Sequence, residues 1–266
     1  MTKMRGFTLI EIVVVLAIAA VLAALLVPAA FQTLQSSKEA TTRVQVERIY
    51  KAIVGDPSKG NYGFLGDMGR FPVTLSELVT QGAQQSYHTS HTVHAGSGDH
   101  VALVGTGWRG PYLTGTDSSD DLFKDAWGVA LSYTNTGNNA GQVVSGGADG
   151  QISTAADNIT YPVQVPIQTK GYLIITVIVN DIPQPTGLTV KVYSTTEGNQ
   201  GAAVVQVPSG TDGKPFRFEV PHGPSAIETI HTASGITVTR ITTIDVAAGT
   251  QVSRVILMKT SATVAM

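Results

Sequence analysis

Twenty consecutive residues, Ile12 to Phe31, carry no charge and no polar side chain. Nothing else in the chain restricts the fold so tightly. As an α-helix rising 1.5 Å per residue, the run is about 30 Å long, the thickness of a bilayer's hydrocarbon core. One carboxylate, Glu11, stands at its start, and Lys3, Arg5 and Gly6 precede it. A cleavable secretory signal needs a shorter apolar core followed by a small-residue cut site. Here the run is too long, and Ala29-Ala30-Phe31 is a poor cut site. An ordinary anchor does not account for Glu11. A carboxylate in hydrocarbon costs roughly 2.5–3.5 kcal/mol on insertion scales, so it normally has a partner and a role. Lys3 and Arg5 ahead of the helix favour a cytoplasmic N-terminus, which puts the rest of the chain across the membrane.

The stretch Arg5-Gly6-Phe7-Thr8-Leu9-Ile10-Glu11, followed by that run, resembles the class III signal of type IV pilins and type II secretion pseudopilins. The resemblance implies a leader over residues 1–6, cut by a prepilin peptidase between Gly6 and Phe7. It also implies methylation of the new amine on Phe7, and a role for Glu11 in assembly. Pro28 falls where pilins often carry a helix-kinking proline. The physics of the residues agrees. After the cut, Phe7 carries a cationic amine on an apolar background, with Glu11 one helical turn away. Glu11 can neutralise its own terminus or a neighbour's, and such a pairing counts for most where the alternative is an unpaired charge in low dielectric.

The helix is expected to continue to Val54, with residues 7–31 in the membrane and 32–54 on its periplasmic side. Val46, Ile49, Tyr50 and Ile53 recur at three and four, opposite Lys38, Glu39, Arg43, Glu47, Arg48 and Lys51. Gly55-Asp56-Pro57 stops it. A globular head is expected over 55–161. In it, Thr74 and Glu77 have the spacing of a capping box. His88, His91 and His94, near Asp99 and His100, invite a zinc reading. Their Ser, Tyr, Thr and Gly neighbours give no helix to align ligands, so the stretch reads as a polar surface loop. Gly105-Thr106-Gly107-Trp108-Arg109-Gly110 matches G-x-G-x-x-G, but Pro111-Tyr112 follows and no helix opens to receive a pyrophosphate.

Further stretches resemble the major pseudopilins. Gly110-Pro111-Tyr112-Leu113 is one, and Lys124-Asp125-Ala126-Trp127-Gly128 is another, with alanine in place of their proline. Ser145-Gly146-Gly147-Ala148-Asp149-Gly150, continuing to Ala156-Asp157-Asn158-Ile159, is similar to their calcium loop. The resemblance implies calcium on the carboxylates of Asp149 and Asp157 and the carbonyl of Gly146. Ser153, Thr154 and Asn158 offer further oxygens. Calcium takes six to eight oxygen ligands, and two carboxylates balance its charge.

Pro162 and Pro166 mark a linker over 162–169, and the resemblance ends near residue 160. From Lys170 the pattern has period two. Strands are expected at 172–179, 188–193, 202–207, 216–220, 227–231, 236–246 and 252–258, separated by turn residues. Seven short strands over 170–266 indicate a β-sandwich, with a faint likeness to prealbumin or Ig-like modules. The expected fold class is therefore α+β: a long N-terminal transmembrane helix packed on a small antiparallel sheet, followed by an all-β sandwich.

No motif points to catalysis: there is no Gly-x-Ser-x-Gly elbow, no phosphate loop and no His-Glu-x-x-His. The chain reads as a non-enzyme. With no cysteine it has neither disulfides nor thiolate metal sites. A net charge of −2 gives no electrostatic case for nucleic acid. The resemblance implies a single-pass inner-membrane protein that assembles with itself and other pseudopilins on an inner-membrane secretion platform into a periplasmic filament. Two alternatives stand beside it. One is a type IV pilin for adhesion or motility, although such pilins often close a C-terminal loop with a disulfide. The other is a tip pseudopilin whose sandwich binds a secreted protein or glycan.

Overall fold

The computed structural model describes residues 9–88, 91–95, 98–102, 104–115, 121–154, 156–200, 204–206 and 214–259. Helix α1 runs unbroken from Leu9 to Val54, 46 residues including Pro28, or about 69 Å. Its described side chains are exposed from Leu9 to Thr41. Beyond that, Thr42, Val46, Ile49, Ala52 and Ile53 are buried, a stripe at helical spacing. Gly55, at φ +82°, ends the helix, with its N–H bonded to the Lys51 carbonyl.

The head is built on that stripe. Val46, Ile49 and Ile53 pack with Phe64 and Met68 of the short helix α2 (Gly63–Met68), and with Leu78, Leu113, Val143 and Ile159. A hairpin pairs β1 (His91–Ala95) with β2 (Gly98–Ala102). A three-stranded antiparallel sheet pairs β3 (Ser132–Thr134), β4 (Gln142–Ser145) and β5 (Ile159–Tyr161), in that order. The histidine-rich stretch is thus a hairpin and not the expected loop. Thr92, Val93 and Val101, all β-branched, favour strand pairing there over the polar character of their neighbours. The expected capping box between Thr74 and Glu77 does not form. Glu77 accepts the backbone N–H of Val73 (3.0 Å), and the Thr74 hydroxyl turns to Ser76 (2.7 Å).

Two sheets follow. The first orders β10 (Val204–Gln206), β8 (Leu188–Thr196), β12 (Gly223–Ala233) and β13 (Ile236–Val246), with β9 (Asn199–Gln200) beside β8. The second orders β11 (Phe216–Pro221), β6 (Lys170–Val179) and β14 (Gln251–Met258), with β7 (Ile182–Pro183) beside β6. Period-two alternation sends Leu173, Ile175, Val177 and Val179 of β6 inward, against Leu188, Val190, Val192, Phe218, Ile227 and Ile256. The α+β class is observed. One feature is absent from the sequence reading: β14 runs parallel to β6, while the other pairs are antiparallel.

The head and the sandwich meet at a seam of main chain. Gly66 packs on Gly223 and Gly69 on Thr195, and Gly198 N–H donates to the Met68 carbonyl (2.8 Å). Arg70 joins Glu77 of the head (2.9 Å) to Glu197 of the sandwich (3.0 Å). Beside the seam, the Asp67 carboxylate is buried. Arg109 contacts both its oxygens (3.0 and 3.1 Å), and the Tyr112 hydroxyl donates to it (2.9 Å). Burial pushes that carboxyl up, and the guanidinium and hydroxyl work against the shift. His222 and His231 are buried, at 2% and 6% exposure. Period-two alternation in β12 turns His231 inward, and the seam covers His222.

Candidate functional site

Three regions carry the residues singled out from sequence. The first is the start of α1. Gly6 and Phe7 lie outside the described residues. Glu11 stands in the first turn of the helix with an exposed side chain. Around and after it the apolar surface is bare: Leu9, Ile10, Leu16, Val21 and Leu26 are each more than 60% exposed. The most apolar 18-residue window has a mean hydropathy of 3.1 with none of it buried. So large a bare apolar surface requires lipid or the matching surfaces of other helices.

The second region is the joint between α1 and the head. It explains how a helix half out of the protein is held at a fixed angle. Trp127 Nε1–H donates to Gln35 Oε1 (2.9 Å), and Ala126 N–H donates to the Thr42 hydroxyl (3.1 Å). Gln45 Nε2 donates to the Leu122 carbonyl (3.0 Å), and Arg48 donates to the Thr114 carbonyl. Trp127 is presented by a tight turn around Asp125. The Asp125 carboxylate accepts the N–H groups of Trp127 (3.0 Å) and Val129 (2.9 Å). Gln35, Thr42 and Gln45 were not singled out from sequence, and Asp125 entered only as a member of the Lys124–Gly128 stretch, with no role of its own. Polar residues on the buried side of a helix break its apolar stripe, and that was the available signal for Thr42.

The third region is the loop after β4. Asp125 reaches it as well: Ser145 Oγ donates to Asp125 (2.6 Å) and accepts Gly147 N–H (3.1 Å). The chain then turns so tightly that Gly146 abuts the main chain of Gly150 and Gln151. Gly147, at φ +65°, leaves room for Asp157, whose carboxylate and carbonyl sit where a Cβ would lie. Asp149 and Asp157 are brought together, but through the backbone of one of them. Asp149 N–H donates to Asp157 Oδ2 (3.2 Å). The Asp149 carboxylate instead accepts the Thr154 hydroxyl and Gln151 N–H. These bonds, the hydroxyl first, hold its carboxyl below the usual range. Their contribution to stability is present above the ordinary carboxylate pKa and is lost as pH falls through the lowered one.

The oxygen set of this loop suits a hard cation. It comprises two carboxylates, the hydroxyl of Thr154, and Asn158, whose amide nitrogen donates to the Ile152 carbonyl (2.9 Å). The Asn158 amide oxygen is buried without a hydrogen-bond partner. Among the described residues, no three His, Cys, Asp or Glu side chains gather into a metal cluster. A cation here therefore depends on carbonyl, amide and hydroxyl oxygens to complete its shell, which is calcium's habit.

Residues 1–27 match the family model described as the prokaryotic N-terminal methylation motif. No curated protein matches the sequence. The matched segment includes Gly6, Phe7, Glu11 and most of the apolar run. With the bare apolar helix, it supports a type IV pilin-like subunit and fits a single-pass membrane anchor.

Proposed function

We propose that this chain is a structural subunit of a secretion filament, a pseudopilin of the type II kind carrying an added β-sandwich. The observation that carries the reading is the methylation motif placed at the head of one continuous 46-residue helix. The first part of that helix is bare and apolar, and its last turns are locked into a folded head. Such a subunit waits in the inner membrane as a single-pass protein with its head in the periplasm. A prepilin peptidase cuts at Gly6/Phe7 and methylates Phe7. The helix then leaves lipid for the company of identical helices and those of other pseudopilins, above an inner-membrane platform. Both environments are apolar, so the exchange carries little hydrophobic cost. The role is mechanical and not enzymatic. The sandwich, with a core of its own and a fixed seat on the head, favours a specialised position in the filament where it meets a secreted protein or glycan.

Processing is tested by intact mass of the membrane form. The mature chain is expected to start at Phe7 with one methyl group on its amine. A chain that keeps residues 1–6 in cells with an active peptidase overturns the reading.

Calcium belongs to the same proposal. Asp149 and Asp157 would hold it, with the Gly146 carbonyl, Thr154 and Asn158 as further oxygens. The ion would supply charge compensation and would close the loop behind β4. Ligand binding to the folded state adds RT ln(1 + [L]/Kd), about 2.7 kcal/mol at a hundredfold excess over Kd. The full chain in detergent is expected to melt higher in calcium than in chelator, with magnesium a poor substitute because of its strict octahedral demand. Asp149→Ala and Asp157→Ala should each remove the difference. Identical melting of the unsubstituted chain in calcium and chelator would refute the site.

A further inference from the structure

His222 stands where three parts of the chain meet. Its ring is 2% exposed. Nε2 lies 2.9 Å from the carbonyl oxygen of Val54, the last residue of α1. Nδ1 lies 3.0 Å from the backbone nitrogen of Ala248, in the turn between β13 and β14. A carbonyl can only accept and a backbone N–H can only donate. The two partners therefore fix the ring in one state: Nε2 protonated, Nδ1 bare, no charge. The main chain of the same residue donates to the Thr169 carbonyl (2.8 Å), just ahead of β6. The Tyr62 ring packs edge-on at 5.1 Å. The next residue is Gly223, which abuts Gly66 in the seam.

We propose that His222 is a proton-operated latch between the end of α1 and the sandwich, closed while its ring is neutral and released when Nδ1 takes a proton. A proton on Nδ1 would face the N–H of Ala248, donor against donor. That bond is lost, and a charge is left in a buried site. Burial outweighs the backbone hydrogen bonds to Val54 and Tyr62, which favour the charged ring. Tyr62 is held neutral, since burial and the Asp245 carboxylate both push its hydroxyl up. The turn Ala247–Thr250 has no titratable side chain. On α1, Lys51 is paired with Glu47 (2.7 Å). The Val54 carbonyl at the helix C-terminus favours a cation, but it already accepts from Nε2 in the neutral ring. Burial accordingly holds the imidazole below its ordinary 6.5. With the folded value lowered, the latch contributes fully above about pH 6.5 and loses its contribution as pH falls below that. Because Gly223 follows directly, release pulls on the seam that seats the sandwich.

Hydrogen exchange on the full chain in detergent tests this, with rates corrected for the intrinsic effect of pH. Between pH 7.5 and 5.0, protection of the Ala248 and His222 amides is expected to fall at least tenfold. Amides in the centre of β6 should hold theirs. In His222→Gln, which keeps a donor for Val54 but has no group that titrates, the pH response of these amides should vanish. An equal response in the variant, or none in the unsubstituted chain, overturns the latch. If His222→Gln does not fold, ring-nitrogen chemical shifts of the unsubstituted chain decide. The expected result is the Nε2–H neutral form at pH 7.5 and a charged ring at pH 5.0 in step with amide exposure. A ring charged at pH 7.5, or one still neutral at pH 5.0 while the amides open, overturns it.

Discussion

Glu11→Ala is expected to leave the chain in the membrane at normal levels and to reduce filament yield about a hundredfold. The first half follows from removing a charge from the edge of a segment of mean hydropathy 3.1, which makes insertion easier. The second half follows from what happens after the cut. Every mature subunit would bring one cationic amine on Phe7 into a bundle of apolar helices. Glu11, four residues further along the chain, is the one carboxylate within its first 38 residues. Removing one partner of a buried ion pair costs about 3–5 kcal/mol, because the other charge stays behind unpaired. Even the lower end of that range is a factor of about a hundred in an assembly equilibrium. Glu11→Gln should fail almost as badly, since it keeps the shape and loses the charge. Glu11→Asp should recover part of the yield. Sheared filament per unit of membrane-inserted chain is the quantity to compare. A Glu11→Ala yield within twofold of the unsubstituted protein would show that the carboxylate has no part in assembly.

The features legible in the sequence are those with a strong local cause. An unbroken apolar run can only be a helix in lipid or among helices, and α1 extends through it and on to Val54. Alternation of period two located the main strands of the sandwich to within a few residues, because inward and outward side chains must alternate on a pleated sheet. The loop with Asp149 and Asp157 was visible as a motif, but its geometry was not. A sequence shows two carboxylates eight residues apart, whereas the fold joins one carboxylate to the other's backbone N–H. The hairpin β1–β2, the parallel pairing of β14 with β6 and the burial of His222 all depend on partners far along the chain. No window of neighbouring residues records them. The same holds for Asp125, which stabilises both the turn before Trp127 and the loop before Asp149. Read locally, it is one more aspartate in a turn.

The seam between head and sandwich was equally invisible, and it gives the sharpest stability prediction. Gly69 sits at φ +69°, and a Cβ there would lie 2.4 Å from the carbonyl oxygen of Thr195 and 2.7 Å from its carbon. Gly223, at φ +120°, would place a Cβ 2.8 Å from the Gly66 carbonyl oxygen and 2.9 Å from its Cα. Both obstacles are backbone, one in β8 and one in α2, so neither can swing aside as a side chain would. Gly69→Ala and Gly223→Ala therefore pay twice: strain of about 1–3 kcal/mol for a side chain at positive φ, and overpacking of about 1–3 kcal/mol. The sum, about 2–6 kcal/mol, is a large fraction of the stability of a typical domain. Gly60 and Gly235 provide the control. They have positive φ as well, +68° and +76°, but nothing lies within 4 Å of the added carbon. Gly60→Ala and Gly235→Ala should cost only the conformational part. Urea unfolding of the full chain in detergent compares the four variants. If Gly69→Ala and Gly223→Ala lose no more than Gly60→Ala and Gly235→Ala, the backbones at the seam are not in the contact described. The sandwich would then be tethered to the head and not seated on it. If they lose several kcal/mol more, the two halves share one packed interface, and force applied through α1 reaches the sandwich directly.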